Sequence, residues 1–359
     1  MPTIVITGGH HNSALVVAKE LVKKGFHVVW VGHRYSTRGD IHDSAEYLEV
    51  TSAGIPFHHL KAGKIDSTPT FDEIVNIPLG FIRAWRLLKQ IEPVAVLSFG
   101  GYLGLAVSLS ANLLQIPVYL HEQTMWAGKA NRLAGYFARQ IFLAWESASV
   151  FFPKGKSSYV GLPLRAGLLS AQSKQLFLNS LPTILVLGGK QGSHILNTHL
   201  FAILPRLLSH YNLIHQTGTN SVTGDYEAAV ALKNTLNPEL APHYLPLGYI
   251  NENSVGEYLA SCDLYLGRSG AHITYELAYF GRKCLLVPFI YTTGSEQYLQ
   301  AKYLQKAGLA LILPQSELSA PSLLSGISSA LKLPEVPTLT LPQDVAKVMV
   351  HKLSHDLKL

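Results

Sequence analysis

The chain has 359 residues, a length that suggests about two domains. With 48% hydrophobic and 14% charged residues it can bury sizeable cores and does not read as disordered. A formal net charge of +6 favours anionic partners, phosphates or anionic lipid. Nucleic acid is disfavoured, because the chain holds no long basic run and no RNA-binding aromatic signature.

In chain order, residues 3–7 (TIVIT) predict a short β-branched strand, with no signal peptide apparent ahead of it. Gly8 and Gly9 follow, then a helix from about Ser13 to Lys24 that ends at Gly25, and a second strand, HVVWVG. This is a βαβ unit with a glycine turn at its first crossover. The fingerprint G-x-G-x-x-G is absent, which disfavours an NAD site. Residues 55–60 read as another strand, and 78–90 (PLGFIRAWRLLKQ) as a helix. That helix fits two readings: a core helix with a solvated basic edge, or an interfacial helix that sets Phe81, Arg83, Trp85 and Arg86 against anionic lipid.

From Pro93 to Leu120 no charged residue occurs, long enough to span a bilayer. Its glycines, Asn112, Gln115 and Pro117 instead break it into strand (VAVLSF), loop (GGYLG), helix (LAVSLSANLLQ) and strand (PVYLHE), a buried α/β pattern. A helix at about 129–138 and a strand, QIFLAW, come next, and FFPKGKSSYVGLPLRAGLL is expected to be an interdomain linker. A second α/β pattern starts at Thr183: strand TILVLGG, a glycine turn into a helix (KQGSHILN), strand and loop NLIHQTG, strand HYLPLGYI and helix NSVGEYLASC. Cys262 and Cys284 sit in apolar surroundings without metal spacing and are expected to be buried thiols in a reducing compartment.

The stretch from Leu266 to Ala301 carries the clearest local chemistry. It reads as a strand end, a tight loop, a helix from about Ala271 to Phe280, a strand (KCLLVPF) and a polar loop. Ser269 is the expected N-cap, Gly270 permits close approach of backbone to a ligand, and Gly281 stops the helix. A helix N-terminus behind a glycine loop is an anion site. Glu276, in the second turn, is placed to accept sugar hydroxyls, or is an ordinary exposed helical acid. The tail, 342–359, reads as a closing helix.

These patterns predict an α/β protein of two doubly wound domains facing a cleft: residues 1–162, joined by the C-terminal helix 342–359, and residues 163–341. The glycine loops at 8–9, 100–101, 188–189 and 270 all follow strands, and such sheets take ligands at their carboxyl ends.

Taken together and in order, ITGGHHNSAL, FGGYLG, IPVYLHEQ, LVLGGKQGSHILN, HQTG, GRSGAHITYELAYFGRKCLLVPF and EQYLQA resemble the MurG family of UDP-N-acetylglucosamine-dependent transferases over nearly the whole chain. The resemblance implies the GT-B architecture of two Rossmann-like domains. It also implies an inverting, metal-independent transfer of N-acetylglucosamine from UDP-N-acetylglucosamine to an undecaprenyl-diphosphate-linked muramyl-peptide, lipid I, giving lipid II in peptidoglycan synthesis. A peripheral position on the cytoplasmic face of the membrane and a role in cell shape and division come with it.

Carried over by residue, Thr7, Gly8 and Gly9 look like the loop that faces acceptor diphosphate and donor sugar, and His10 matches the histidine after it. Gly101 and Tyr102 fall on the acceptor side. Gly188, Gly189, Gln191 and Gly192 match the phosphate loop, with Lys190 where serine is usual. Arg165 matches an arginine of a similar N-P-[VL]-R motif, and Ile250 the residue whose backbone contacts uracil. Ser269, Gly270, Ala271, His272 and Glu276 match the helix start and the ribose-binding acid. Gln297 matches the glutamine that reaches the donor sugar, and Thr124 stands where the family has asparagine. Glu296 replaces the first glutamine of the family pair, and the loop before Thr7 is shortened.

Inverting transfer needs a base for the acceptor hydroxyl and stabilisation of the leaving diphosphate. His10 is the first candidate base, with His11 and Glu122 as rivals; Glu122 alternatively holds its loop by accepting backbone N–H bonds. Backbone N–H groups near 189–193 and 270–271 are expected to hold the diphosphate, aided by Lys190 or Arg165. The sequence leaves open another UDP-sugar enzyme on this fold, a glycolipid glycosyltransferase or an epimerase, and a non-catalytic binding protein.

Overall fold

The computed structural model describes residues 1–35, 43–62, 71–189, 191–251, 254–289, 295–335 and 339–359. The chain forms two compact units, residues 1–165 with 342–359, and residues 166–341. The division falls at Arg165/Ala166, three residues beyond the expected boundary.

The first unit runs β1 (Thr3–Thr7), α1 (His11–Lys23), β2 (His27–Gly32), α2 (Ala45–Ser52), β3 (Phe57–His59), α3 (Phe71–Ile91), β4 (Ala95–Ser98), α4 (Gly101–Leu113), β5 (Val118–Glu122), α5 (Lys129–Gly135), β6 (Gln140–Leu143) and β7 (Ser157–Tyr159). Its seven strands are all parallel, in the order β3-β2-β1-β4-β5-β6-β7. The central strands are buried on both faces, which is why they read as continuous apolar runs rather than alternating ones.

The second unit runs α6 (Ala166–Leu169), β8 (Thr183–Leu187), α7 (His194–Phe201), α8 (Leu204–Leu208), β9 (Asn212–Gln216), α9 (Asp225–Thr235), β10 (Tyr244–Leu247), α10 (Val255–Ser261), β11 (Leu264–Gly267), α11 (Ala271–Phe280), β12 (Lys283–Leu286), α12 (Glu296–Lys306), β13 (Ala310–Ile312) and α13 (Ala320–Leu331). Its sheet is parallel too, in the order β10-β9-β8-β11-β12-β13. The last helix, α14 (Val345–Leu357), belongs to the first unit. It buries Val345, Met349, Val350 and Leu353 in the core built from β1, β2 and α1. At roughly 1.5–3 kcal/mol for each fully buried aliphatic side chain, that face suffices to hold the tail there. Asp356 adds a polar anchor, accepting from the Tyr119 hydroxyl and from Arg139 Nε at 2.6 Å.

Four local expectations change. The expected linker contains β7, which pairs with β6 and lies in the first unit. Helix α3 begins at Phe71 and runs through Pro78 rather than starting there. Gly101 and Tyr102 open α4 instead of lying in a loop ahead of it. The polar loop after β12 gives way at Glu296 to α12, so Gln297 is helical. Among the described residues, no helix is long and apolar enough to cross a membrane.

Candidate functional site

In both sheets the chain order reverses beside the first strand, between β1 and β4 and between β8 and β11. These are the switch points where open α/β sheets take ligands. The register brings the relevant ends level: Thr7 pairs with Ser98, and Leu187 with Gly267. Gly8–Gly9 and Gly100–Gly101 therefore leave the first sheet side by side, with Gly9 N donating to Gly100 O at 3.2 Å. In the second sheet the loops after β8 and β11 likewise follow paired strand ends.

In the first unit His10 is the residue before α1, and its Nδ1 lies 3.3 Å from Phe99 O. A carbonyl only accepts, so Nδ1 carries the proton and Nε2 holds the lone pair. Protein packed around the ring lowers its pKa, an effect only partly offset by the Phe99 carbonyl and the Glu122 charge. The result is a neutral imidazole at neutral pH, with exposed surface, on the glycine loop. Thr7 is fully buried, and its hydroxyl finds no partner among the described residues. Tyr102 reaches over the end of β1, its hydroxyl 2.5 Å from His33 Nε2 at the end of β2. Burial, and then His59, lower the His33 pKa to about 4.

Glu122 is 3% exposed and both of its oxygens are occupied. Oε1 accepts from Thr124 N at 3.0 Å and faces Thr124 Oγ1 at 2.7 Å. Oε2 accepts from Gly128 N at 3.2 Å and Asn131 Nδ2 at 2.9 Å. As a base it would have to abandon these donors, so the loop-holding reading replaces the rival-base one. Thr124 is correspondingly turned inward, its hydroxyl also 2.8 Å from Trp126 O. His11 Nε2 stands 3.7 Å from Glu49, too far for a hydrogen bond. Arg165 belongs to this unit, donating to Asn12 Oδ1 and Glu49 Oε2, both at 2.7 Å. Burial alone would raise the Glu49 carboxyl; His11 and Arg165 reverse that and hold it at about 2. Arg165, expected as a cationic aid to the diphosphate, is thus partnered by Glu49 and Asn12.

In the second unit the loop after β8 is interlocked with the one after β9. A Cβ on Gly192 (φ +78°) would stand 1.8 Å from Thr217 O, and one on Gly218 (φ +91°) 2.1 Å from Gln191 O. Only glycine fits either position. Gly192 N donates to Gly189 O at 3.0 Å, so that N–H closes the turn and is not available to a ligand. Gln216 Nε2 also holds Gly189 O, at 2.8 Å. Gly189, at φ +92°, has open space where a side chain would be, and Gln191 is exposed. Lys190 lies outside the described residues.

The loop rests on a buried polar network. His215 Nε2 is 2.9 Å from Asn197 Oδ1, and its Nδ1 is 3.1 Å from the Tyr244 hydroxyl. Asn197 Nδ2 donates to Thr217 O at 2.9 Å and Asp225 Oδ2 at 2.8 Å, and Asp225 Oδ1 is 2.7 Å from His194 Nδ1. These partners fix the orientations: Asn197 Oδ1 must accept, so His215 carries its proton on Nε2 and accepts from Tyr244. Burial pushes the His215 pKa down to about 3, which keeps the ring neutral.

Ser269 does not cap α11. The residue before that helix is Gly270, no side chain caps it, and Ser269 Oγ donates instead to Gln297 O at 2.8 Å. The two loops at the switch point are tied by Arg268, which sequence reasoning passed over. It donates to Ser193 Oγ, ahead of α7, at 2.8 Å and to Val287 O at 3.0 Å. Phe289 N donates to Gln297 Oε1 at 2.9 Å, which turns the amide nitrogen of Gln297 the other way. Ala271, His272 and Glu276 lie half-buried along the first two turns of α11, and Ile250 is a buried residue past β10. The uncapped starts of α7 and α11 direct two helix dipoles to one switch point, an arrangement suited to a diphosphate.

On α3, Arg83 Nη1 donates to Lys61 O at 2.9 Å and Asn76 Oδ1 at 3.1 Å, while Phe81 and Trp85 are half-buried. The outward stripe is Leu79, Ile82, Arg86 and Lys89.

Comparison with known proteins agrees with this geometry. Residues 4–143 match the glycosyltransferase family 28 N-terminal domain, and residues 183–346 the glycosyltransferase family 28 C-terminal domain. The chain is 31% identical to the UDP-N-acetylglucosamine–N-acetylmuramyl-(pentapeptide) pyrophosphoryl-undecaprenol N-acetylglucosamine transferase of Pasteurella multocida, over 98% of this chain and 96% of that one. It is 30% identical to the protein of the same name from Halothermothrix orenii, over 88% and 86%. The crystal structure of Acinetobacter baumannii MurG superposes with a TM-score of 0.74 at 25% identity, covering 99% of this chain and all of that one. The S. aureus MnaA–UDP structure shares the fold at 14% identity, with a TM-score of 0.69, over 100% and 97%. With its two parallel-sheet units of the GT-B type, the chain belongs to glycosyltransferase family 28 and, within it, to the MurG family.

Proposed function

We propose that the protein transfers N-acetylglucosamine from UDP-N-acetylglucosamine to the undecaprenyl-diphosphate-linked muramyl-peptide, with inversion at the anomeric carbon. The observation that carries this reading is the second switch point. Two uncapped helix starts converge there with a glycine loop that only glycine can form, and Glu276 and Gln297 lie on the adjoining helices. The near full-length match to transferases of that name supplies donor and acceptor.

In this reading the N-terminal turns of α7 and α11 stabilise the departing UDP, Glu276 accepts from ribose hydroxyls, and the Gln297 amide nitrogen donates to the sugar. His10 Nε2 takes the proton of the attacking acceptor hydroxyl as the bond to UDP breaks. Glu122 and Asn131 keep the 122–128 loop in place. Arg268 holds the two phosphate-side loops in register through Ser193. We further propose that the protein sits peripherally on the cytoplasmic membrane face, using the α3 stripe, and through lipid II formation serves cell-wall growth, shape and division.

Incubating the protein with UDP-N-acetylglucosamine and a lipid I analogue should release UDP and form the disaccharide product. Release with a different sugar or acceptor, but none with this pair, would sink the assignment.

A further inference from the structure

A concave region lies in the first unit, at the opposite end of its sheet from the glycine loops. Gln140 opens β6 and Ser157 opens β7, and both line a groove of about 830 Å³ closed on its other side by α14. The glycine loops follow the carboxyl ends of the strands, whereas this groove sits at the amino ends. Its volume falls within the roughly 300–1,000 Å³ usual for ligand sites.

The lining is cationic. Arg139, Lys156, Lys347 and Lys352 bring four permanent positive charges, and His351 and His355 stack one turn apart with ring centroids 6.5 Å apart. Two carboxylates also line it, but both are already engaged. Asp356 is held by Arg139 at 2.6 Å and by the Tyr119 hydroxyl, and Asp344 pairs with Lys347 at 2.8 Å. Lys156 gives one of its three N–H bonds to Tyr136 O at 2.7 Å. Among the described residues no hydrogen bond or ion pair reaches the Lys352 ammonium. Two ammonium groups and two imidazoles thus converge on one concavity with donors to offer, while its carboxylates are neutralised from within.

We infer that this groove binds a phosphate-bearing anion. A compact group with several oxygens can accept from two ammoniums and two imidazole N–H groups at once, and charge-assisted bonds of that kind are the strong ones. Among the described residues no Phe, Tyr or Trp lines the groove, and its two histidine rings stack on each other. The recognised chemistry is the phosphate itself, on a soluble diphosphate or on a lipid headgroup.

Titration calorimetry of the full chain with inorganic pyrophosphate, with UDP present at saturation to block the donor site, tests the inference. A second isotherm is expected, weakened at least about tenfold in a Lys156→Ala/Lys352→Ala double variant. Both side chains are half-buried, and circular dichroism checks the fold. The transferase rate of the double variant should match the parent. A parallel arm measures binding to phosphatidylglycerol vesicles against phosphatidylcholine vesicles. Loss of vesicle binding in the double variant, with no pyrophosphate isotherm in the parent, makes the phosphate that of a lipid headgroup, and the inference stands. If the double variant matches the parent in both arms, the groove is not a phosphate site.

Discussion

The Nδ1 atom of His10 lies 3.3 Å from the carbonyl oxygen of Phe99, and this one contact decides which ring nitrogen is basic. With the proton held on Nδ1, the lone pair of Nε2 stays available at the end of β1. Loss of a general base usually costs about 10²–10⁴ in rate. His10→Ala is therefore expected to lower kcat by about that factor while UDP affinity is retained. The ring's pKa lies below 6.5, so parent activity should fall on the acid side, below pH 6.5, as Nε2 is protonated. That limb should be absent from the residual activity of the variant. A kcat within a few-fold of the parent would remove His10 from the mechanism.

Glu122 makes the opposite prediction. Its four donors come from Thr124, Gly128 and Asn131, two of them backbone N–H groups that cannot turn away. In Glu122→Gln, either orientation of the amide places an NH₂ against one of those N–H groups. Leaving a buried donor unsatisfied costs about 1–3 kcal/mol. The variant should lose stability of that order in urea unfolding, yet keep the shape of its pH–rate profile. Disappearance of the acid limb in Glu122→Gln would restore it as the base.

The strands and glycine loops were readable because their signals are local: β-branched runs of four to six residues closed by glycine. The reading failed where a partner is distant in sequence. Ser269 has the composition of an N-cap, but its hydroxyl goes to a carbonyl 28 residues away. Nothing in the sequence near Arg165 points to its partner Glu49, 116 residues earlier. The His194–Asp225 pair and the Asn197–His215 contact that support the glycine loop after β8 have no sequence signature at all. Pro78 was read as a first-turn residue, the usual place for a proline, whereas α3 runs through it. Strand β7 has three residues and no periodicity to find.

Gln297 allows its structural and ligand roles to be separated. Oε1 accepts from Phe289 N, and the nitrogen of the same amide faces away. Gln297→Glu keeps an acceptor for Phe289 but removes the donors, whereas Gln297→Leu removes both. The glutamate variant should raise the KM for UDP-N-acetylglucosamine by about tenfold, the loss of one or two hydrogen bonds, with little change in unfolding midpoint. The leucine variant should lose stability as well. If both variants lose only stability, Gln297 does not touch the donor.

Of the α3 residues expected at the membrane, Arg86 is exposed, and Leu79, Ile82 and Lys89 are exposed beside it, whereas Phe81, Arg83 and Trp85 are half-buried. Ile82 and Leu79 are 41% and 38% exposed, with Arg86 and Lys89 exposed beside them, whereas Arg83 is tied to Lys61 and Asn76. Basic residues near an anionic surface contribute about 1 kcal/mol each. Ile82→Glu with Arg86→Glu is expected to reduce binding to phosphatidylglycerol vesicles by at least about tenfold, with UDP binding unaltered. Vesicle binding equal to the parent would return α3 to a purely structural helix.

The last expectation concerns stability against pH. Burial lowers the pKa of His215 to about 3 and that of His121 to about 4, against about 6.5 in an unfolded chain. Between those values the unfolded chain binds more protons than the folded one, so stability rises with pH and is lost as the pH falls below 6.5. By the time its folded pKa is reached, His121 should contribute a loss on the order of 3 kcal/mol and His215 one on the order of 4 kcal/mol. Urea midpoints measured from pH 7 to pH 4 should therefore fall steadily, and the fall should continue below pH 4 for the second unit, which holds His215. His215→Phe removes one of these titrations together with the bonds to Tyr244 and Asn197. It should be less stable than the parent at pH 7 but show a shallower decline toward pH 4. A decline as steep as the parent's would mean that His215 is not the group whose protonation is resisted, and that the network beneath the glycine loop after β8 does not require a neutral ring.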